Sequence, residues 1–123
     1  MTETATAEWK APADLDPECL SLCRAMNAFP GITTTESCSG HGKNPFRIWF
    51  TAESLDALPP LLYWFDACHA GQYGWWVQAS TDCGASILTF TAEGPRHGYH
   101  SADAIAAAMT EALASEAAEE TAP

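Results

Sequence analysis

Apolar side chains recur along this chain with two different periods, and segments of the two periods alternate. A helical spacing comes first, bounded by Asp16-Pro17 as a helix start and Pro30-Gly31 as a helix end, and its apolar positions are Cys19, Leu22, Cys23 and Met26. Two segments with the composition and alternation of β-strands follow, at residues 32–38 and 46–52. The first half therefore predicts one helix followed by a pair of strands.

The second half repeats this order and adds a closing helix. Helical spacing returns at Leu55, Leu58, Leu61, Leu62, Phe65 and Cys68. Pro59-Pro60 is placed in the first turn of that helix, because proline is tolerated there and breaks helix interiors. Residues 75–80 and 86–92 predict two more strands, and Ser101 is predicted to cap a final helix that continues through Leu113.

Short identities indicate that the two halves arose by internal duplication. The sequence Phe-Thr-Ala-Glu occupies residues 50–53 and again residues 90–93, and Gly31 recurs as Gly71 at the same offset of 40. Cys38-Ser39-Gly40 has a partial echo in Asp82-Cys83-Gly84 at an offset of 45, so the first loop would be longer by five residues. We expect an α+β fold of two duplicated α-β-β units plus a C-terminal helix. Its sheet would be four-stranded and mainly antiparallel, with the helices on one face.

The chain length and composition indicate one globular domain. With 123 residues, 47% of them hydrophobic, the chain can bury a core, and no apolar run reaches the roughly 20 residues of a membrane span. We expect a flexible segment at residues 1–14, a single domain at residues 15–114 and a flexible acidic tail at residues 115–123. The N-terminal residues lack the pattern of a signal peptide, so we expect a cytoplasmic protein without a membrane partner.

The charge of the chain argues against extended nucleic acid as a partner and favours a small anionic ligand. The formal net charge of -11 argues against binding of extended nucleic acid, which needs many basic side chains. Only five residues are basic, and three of them, Lys43, Arg47 and Arg96, lie at or near predicted strand ends. A local positive patch on an acidic protein favours a small anionic ligand, such as a nucleotide.

The loop between the first two strands has the densest chemistry of the chain. The predicted ligand-binding residues are Ser37, Cys38, Ser39, Gly40 and His41 in the loop, together with Lys43, Arg47 and Arg96. Cys38 could act as a nucleophile with His41 as base, could ligate zinc with His41, or could line a ligand pocket. A closed zinc site needs four ligands, and Cys83, His97 and His100 are the available completions.

Residues 26–30 and 33–40 together resemble a known family. Met-Asn-Ala-Phe-Pro followed by Thr-Thr-Thr-Glu-Ser-Cys-Ser-Gly resembles the tRNA wybutosine-synthesising methyltransferase-like family, whose signature reads Thr-Thr-Ser-Ser-Cys-Ser-Gly-Arg. The resemblance implies S-adenosylmethionine-dependent methylation of a hypermodified guanosine in tRNA, with Ser37 to Gly40 in the active region. His41 stands where the family has arginine, and Glu36 interrupts its pair of serines.

Cysteine and tryptophan usage leaves a further alternative. Five cysteines without a CxxC pair predict free thiols, with Cys19 and Cys23 in the core. Trp75 and Trp76 are neighbours in a predicted strand and must point to opposite faces. An exposed tryptophan on an acidic surface is also compatible with a non-catalytic inhibitor or sequestering protein of a mobile element.

Overall fold

A computed structural model describes residues 9–79 and 88–121 of the chain. Within them, α-helices and β-strands follow one another in the predicted α+β order. The elements are α1 (Leu20–Asn27), β1 (Ile32–Cys38), β2 (Phe46–Ala52), α2 (Leu58–Leu62), β3 (Trp76–Ala79), β4 (Leu88–Gly94) and α3 (Tyr99–Thr121). Short 3-10 turns at Pro17–Cys19, Leu55–Ala57, Tyr63–Phe65 and Ala70–Tyr73 flank the first two helices.

The four strands form one antiparallel sheet in the order β1-β2-β4-β3, which confirms the predicted fold class. If β1 and β2 are exchanged for β3 and β4, the strand order is the same when read from the other edge of the sheet, as expected for two duplicated units. In the middle of the sheet Phe50 pairs with Phe90, its equivalent 40 positions later. Their rings stack with centroids 5.6 Å apart. The two copies of the repeated sequence thus meet at this pair in the middle of the sheet.

The register of the outer strands also agrees with the duplication. Val77 of β3 pairs with Ala92 of β4, and Ile32 of β1 pairs with Ala52 of β2. Val77 lies 45 positions after Ile32, and Ala92 lies 40 positions after Ala52, so the second pair is equivalent to the first. These are the two offsets read from the sequence. The predicted equivalent of the first loop, around Cys83, lies outside the described residues.

One face of the sheet carries the core. Along β2, Phe46, Ile48, Phe50 and Ala52 are buried, and the alternate residues are only half-buried. Helices α1 and α3 pack against each other over this face. Together with Cys19, which directly precedes α1, they contribute Leu22, Cys23, Ala25, Met26, Ala102, Ala106 and Met109 to the core. Along the described residues, no helix combines the length and apolarity that crossing a bilayer requires.

Asn27 fastens α1 to the edge strand β1. Its Nδ2 donates to the Cys23 carbonyl at the helix end and to Thr34 Oγ1, both at 2.7 Å. Its Oδ1 accepts a hydrogen bond from the Thr34 backbone N–H at 2.9 Å. The side chain thus holds the strand against the helix immediately before the loop that carries the candidate site.

Some predicted boundaries differ from the structure. The apolar spacing from Leu55 to Cys68 predicts one helix, but only Leu58–Leu62 is α-helical, with Pro59 and Pro60 in its first turn as expected. Ser101 does not cap α3, which begins at Tyr99; its hydroxyl instead donates to the Gly98 carbonyl oxygen and accepts from Trp75 Nε1. Helix α3 also continues to Thr121, and strand β4 to Gly94.

A buried cysteine of α1, Cys23, gives the fold a pH dependence. Burial raises the pKa of the Cys23 thiol from its ordinary value of 9.0 to about 11. Above pH 9 the unfolded chain loses this proton while the folded protein keeps it. The contribution of the thiol to the free energy of unfolding is therefore fully present below pH 9 and declines above it. We expect the free energy of unfolding to fall by about 1.4 kcal/mol per pH unit from this thiol between about pH 9 and 11.

Urea unfolding at several alkaline pH values measures this slope. In Cys23→Ala the slope should be smaller than in the wild type, and in the exposed-site control Cys68→Ala it should be unchanged. Equal slopes in the wild type and Cys23→Ala would show that the folded state does not hold this proton.

Candidate functional site

The loop between β1 and β2 turns through three consecutive residues with positive φ. Gly40 and Gly42 both have φ +79°, and His41 between them has φ 53° and ψ 30°. A Cβ at residue 40 would lie 2.8 Å from the Pro45 carbonyl oxygen, so glycine is required there for space as well as for φ. The left-handed conformation is unfavourable for His41 by about 1–2 kcal/mol. Strain of this kind concentrates at functional sites.

Asp16 reaches this loop from the start of the first helical segment. At a predicted helix start an aspartate is expected to cap the helix, but the Asp16 side chain makes no capping hydrogen bond to the following 3-10 turn. Instead, Asp16 Oδ2 accepts a hydrogen bond of 2.9 Å from the Ser39 backbone N–H, 23 residues away along the chain. The carboxylate is therefore fixed beside the loop.

Asp16, Cys38 and His41 bring three potential metal ligands to one point. Among the described residues, one atom from each of these side chains lies within 4.8 Å of the other two: a carboxylate oxygen, the sulfur and a ring nitrogen. His41 Nε2 and Asp16 Oδ2 are 3.7 Å apart, which exceeds hydrogen-bond distance. The His41 side chain is 68% exposed and that of Asp16 is 24% exposed, so the cluster opens to solvent.

Backbone groups of the loop support the ligand atoms. The Gly40 N–H donates to Cys38 Sγ at 3.4 Å, a contact that holds the sulfur in place beside the turn. Ser39 is 1% exposed, and its hydroxyl accepts a hydrogen bond from the His41 backbone N–H at 3.3 Å. The tight turn thus orients both the thiol and the imidazole-bearing residue.

Ser37 lies away from this cluster, although the sequence analysis includes it in the site. It is opposite Ile48 in the strand register, on the core side of β1, whereas Cys38 is opposite Arg47 on the other side. Burial raises the pKa of the Cys19 thiol to about 12, and hydrogen bonding by Ser37 partly offsets that rise. The Ser37 hydroxyl therefore faces the cysteines of α1.

The three predicted basic residues differ in their surroundings. Arg47 Nε lies 3.1 Å from the Glu93 carboxylate across the β2–β4 pair, so its charge is locally balanced. Lys43 and Arg96 are exposed, one in the loop and the other after β4. The carboxylate of Asp16 meanwhile adds negative charge at the position where an anion was expected.

One of the residues predicted as additional zinc ligands lies close to the loop. His97 Cε1 is 3.8 Å from the position that a Cβ would take at Gly42. Cys83 lies outside the described residues, and the side chain of His100 is also outside them. The structure therefore brings Cys38 and His41 together as the zinc hypothesis requires, and places His97 beside the loop.

Asp16 is the site residue that sequence reasoning missed. An aspartate directly before a proline at the start of a helical pattern is fully explained as a cap, and no local signal connects it with a loop more than 20 residues away. Only the packing of α1 against β1 reveals the contact.

Comparisons of this chain with protein-family models, with curated proteins and with solved structures found no match. The resemblance to the wybutosine methyltransferase-like family therefore stays a prediction based on residues 26–42.

Proposed function

We propose that this protein binds a divalent transition-metal ion, in the first place Zn²⁺, through Asp16, Cys38 and His41. The observation that supports this proposal is the convergence of their ligand atoms to within 4.8 Å of one another. Carboxylate oxygen, thiolate sulfur and imidazole nitrogen are the three ligand types that zinc accepts in proteins.

The spacing of the ligand atoms suits a tetrahedral ion. Metal–ligand bonds of 2.0–2.3 Å place two ligands of a tetrahedral zinc about 3.3–3.7 Å apart. His41 Nε2 and Asp16 Oδ2, at 3.7 Å, are only a few tenths of an ångström farther apart than a nitrogen and an oxygen ligand of one zinc ion. The other ligand atoms lie within 4.8 Å of one another, so side-chain movements of about 1 Å bring them to the spacing of a tetrahedral ion. The exposure of His41 permits such movements.

The charges of the site also match a divalent cation. A thiolate, a carboxylate and a neutral imidazole together carry two negative charges, which a Zn²⁺ ion neutralises. Three protein ligands leave a fourth position open, as in catalytic rather than purely structural zinc sites. The Ser39 N–H on Asp16 and the Gly40 N–H on Cys38 supply the outer hydrogen bonds that orient ligands.

The anionic ligand expected from the sequence is compatible with a metal site. A bound metal ion would give the acidic site the positive centre that Arg47, paired with Glu93, supplies only in part. An anion would then bind as the fourth ligand. Methylation with S-adenosylmethionine, a mobile-element inhibitor role and a cytoplasmic location stay predictions from sequence.

Zinc affinity of single-site variants tests the proposal. We expect Cys38→Ser, His41→Ala and Asp16→Asn each to weaken Zn²⁺ binding by at least about 100-fold, because loss of a ligand exceeds the 10–100-fold effect of an outer-shell change. Competition with a chromophoric chelator measures the dissociation constants, and urea unfolding without metal shows that each variant is folded.

Cys68 and His69 provide the matched controls. Cys68 is an exposed cysteine next to a histidine that pairs with Asp66 at 2.8 Å, and neither belongs to the cluster. Cys68→Ser and His69→Ala should therefore bind zinc as the wild type does. Zinc affinity that is lost in these controls, or retained in all three cluster variants, would overturn the proposal.

A further inference from the structure

A cleft lies along the outer edge of β1, separate from the metal cluster. Its volume is about 370 Å³, and it is lined by Trp9, Pro12, Asp14, Leu15, Cys23, Thr34, Thr35, Glu36 and Ser37. Strand β1 is at the edge of the sheet, and the segment from Trp9 to Leu15 runs beside it. Both Trp9 and Leu15 pack against the core, so this wall of the cleft is held in place. The volume is in the range of small-molecule sites.

The lining combines negative charge with apolar and aromatic surface. Asp14 and Glu36 are the charged residues of its lining, both acidic, and among the described residues no lysine or arginine lines the cleft. Trp9 supplies an aromatic ring, and Pro12 and Leu15 supply apolar contacts. The net charge of -11 raises the concentration of cations near the protein still further. These features disfavour an anion and favour a cation with an apolar body.

We propose that this cleft binds a small organic cation, an ammonium group carried on an apolar or aromatic body. The ammonium group is attracted by the two carboxylates and, through a cation–π interaction, by the face of the Trp9 ring. The apolar body lies against Leu15 and Pro12, where its burial adds a hydrophobic contribution.

This inference is independent of the metal site, although the two sites are neighbours. Leu15 directly precedes Asp16, and Ser37 directly precedes Cys38, so the two chain segments that form the cleft both lead to the cluster. The cleft shares none of the three cluster residues. Binding of the cation therefore does not require metal.

Three isosteric probes of different charge test the proposal. Phenethylammonium, 2-phenylethanol and phenylacetate share one aromatic body, and isothermal titration calorimetry measures their binding. We expect the cation to bind at least about tenfold more tightly than the alcohol, and the anion not to bind measurably. Trp9→Leu should weaken binding of the cation about tenfold, and Glu36→Gln about threefold.

Matched variants elsewhere in the chain serve as controls. Trp76→Leu removes an exposed tryptophan from the opposite edge strand, and Glu111→Gln removes one exposed negative charge from α3. Both should bind phenethylammonium as the wild type does, and so should Cys38→Ser. Equal binding of the three probes, or a wild-type affinity in Trp9→Leu, would overturn the proposal. Loss of binding in Cys38→Ser would instead place the ligand on the metal cluster and would also overturn it.

Discussion

Trp75→Ala is expected to reduce the free energy of unfolding by about 3–5 kcal/mol, the range for large aromatic residues removed from a core. Trp75 is 2% exposed and packs edge-on against Phe46, with ring centroids 5.3 Å apart. Its Nε1 donates to Ser101 Oγ at 2.9 Å, which joins β3 to the first turn of α3. The ring also fills the space beside Gly94, where a Cβ would lie 2.6 Å from it. The substitution therefore removes a connection between sheet and helix as well as apolar contact.

The adjacent residue is the control for this prediction. Trp76 is 50% exposed on the other side of the strand, so Trp76→Ala should change the free energy of unfolding by less than about 1 kcal/mol. Urea unfolding of the two variants under identical conditions gives the comparison. Similar losses in both would show that the two rings are not divided between core and surface as described.

His41→Gly is expected to stabilise the metal-free protein while it abolishes zinc binding. His41 has φ 53°, and glycine adopts this conformation without the steric penalty of a Cβ. His41→Ala removes the same imidazole but keeps the Cβ. The glycine variant should therefore be more stable than the alanine variant by about 1 kcal/mol, and neither should bind Zn²⁺ tightly.

Urea unfolding with a chelator present measures the difference between these two variants. An alanine variant as stable as the glycine variant would mean that the loop stores no strain at this residue. If the prediction holds, the sequence retains histidine at a position where it weakens the fold, as expected for a residue with a ligand-binding role.

The strands were predictable from local sequence because local chemistry determines them. The predicted bounds of β1 and β2, 32–38 and 46–52, coincide with those of the structure. Alternation of apolar and polar residues along β2 matches its buried and half-buried positions. The predicted helix at 55–68 is wrong in extent, because 3-10 turns occupy Leu55–Ala57 and Tyr63–Phe65 and the apolar spacing does not distinguish such turns from an α-helix.

The candidate site was only partly predictable, for a different reason. Cys38 and His41 belong to one loop, so their proximity follows from sequence spacing. Asp16 joins them only through the tertiary contact between its carboxylate and the Ser39 N–H. Likewise, nothing in the sequence near Arg47 indicates that the strand register places Glu93 beside it. Pairings between distant segments carry the electrostatics of the site.

The absorption spectrum of the protein titrated with Co²⁺ tests the central claim most directly, because cobalt reports both its geometry and its ligands. We predict saturation at one ion per chain, with visible bands of tetrahedral cobalt and a thiolate-to-cobalt charge-transfer band in the near ultraviolet. The charge-transfer band should disappear in Cys38→Ser and persist in Cys68→Ser. Metal binding by Asp16, Cys38 and His41 would be contradicted if the wild-type spectrum lacks the charge-transfer band, or if the band persists in Cys38→Ser.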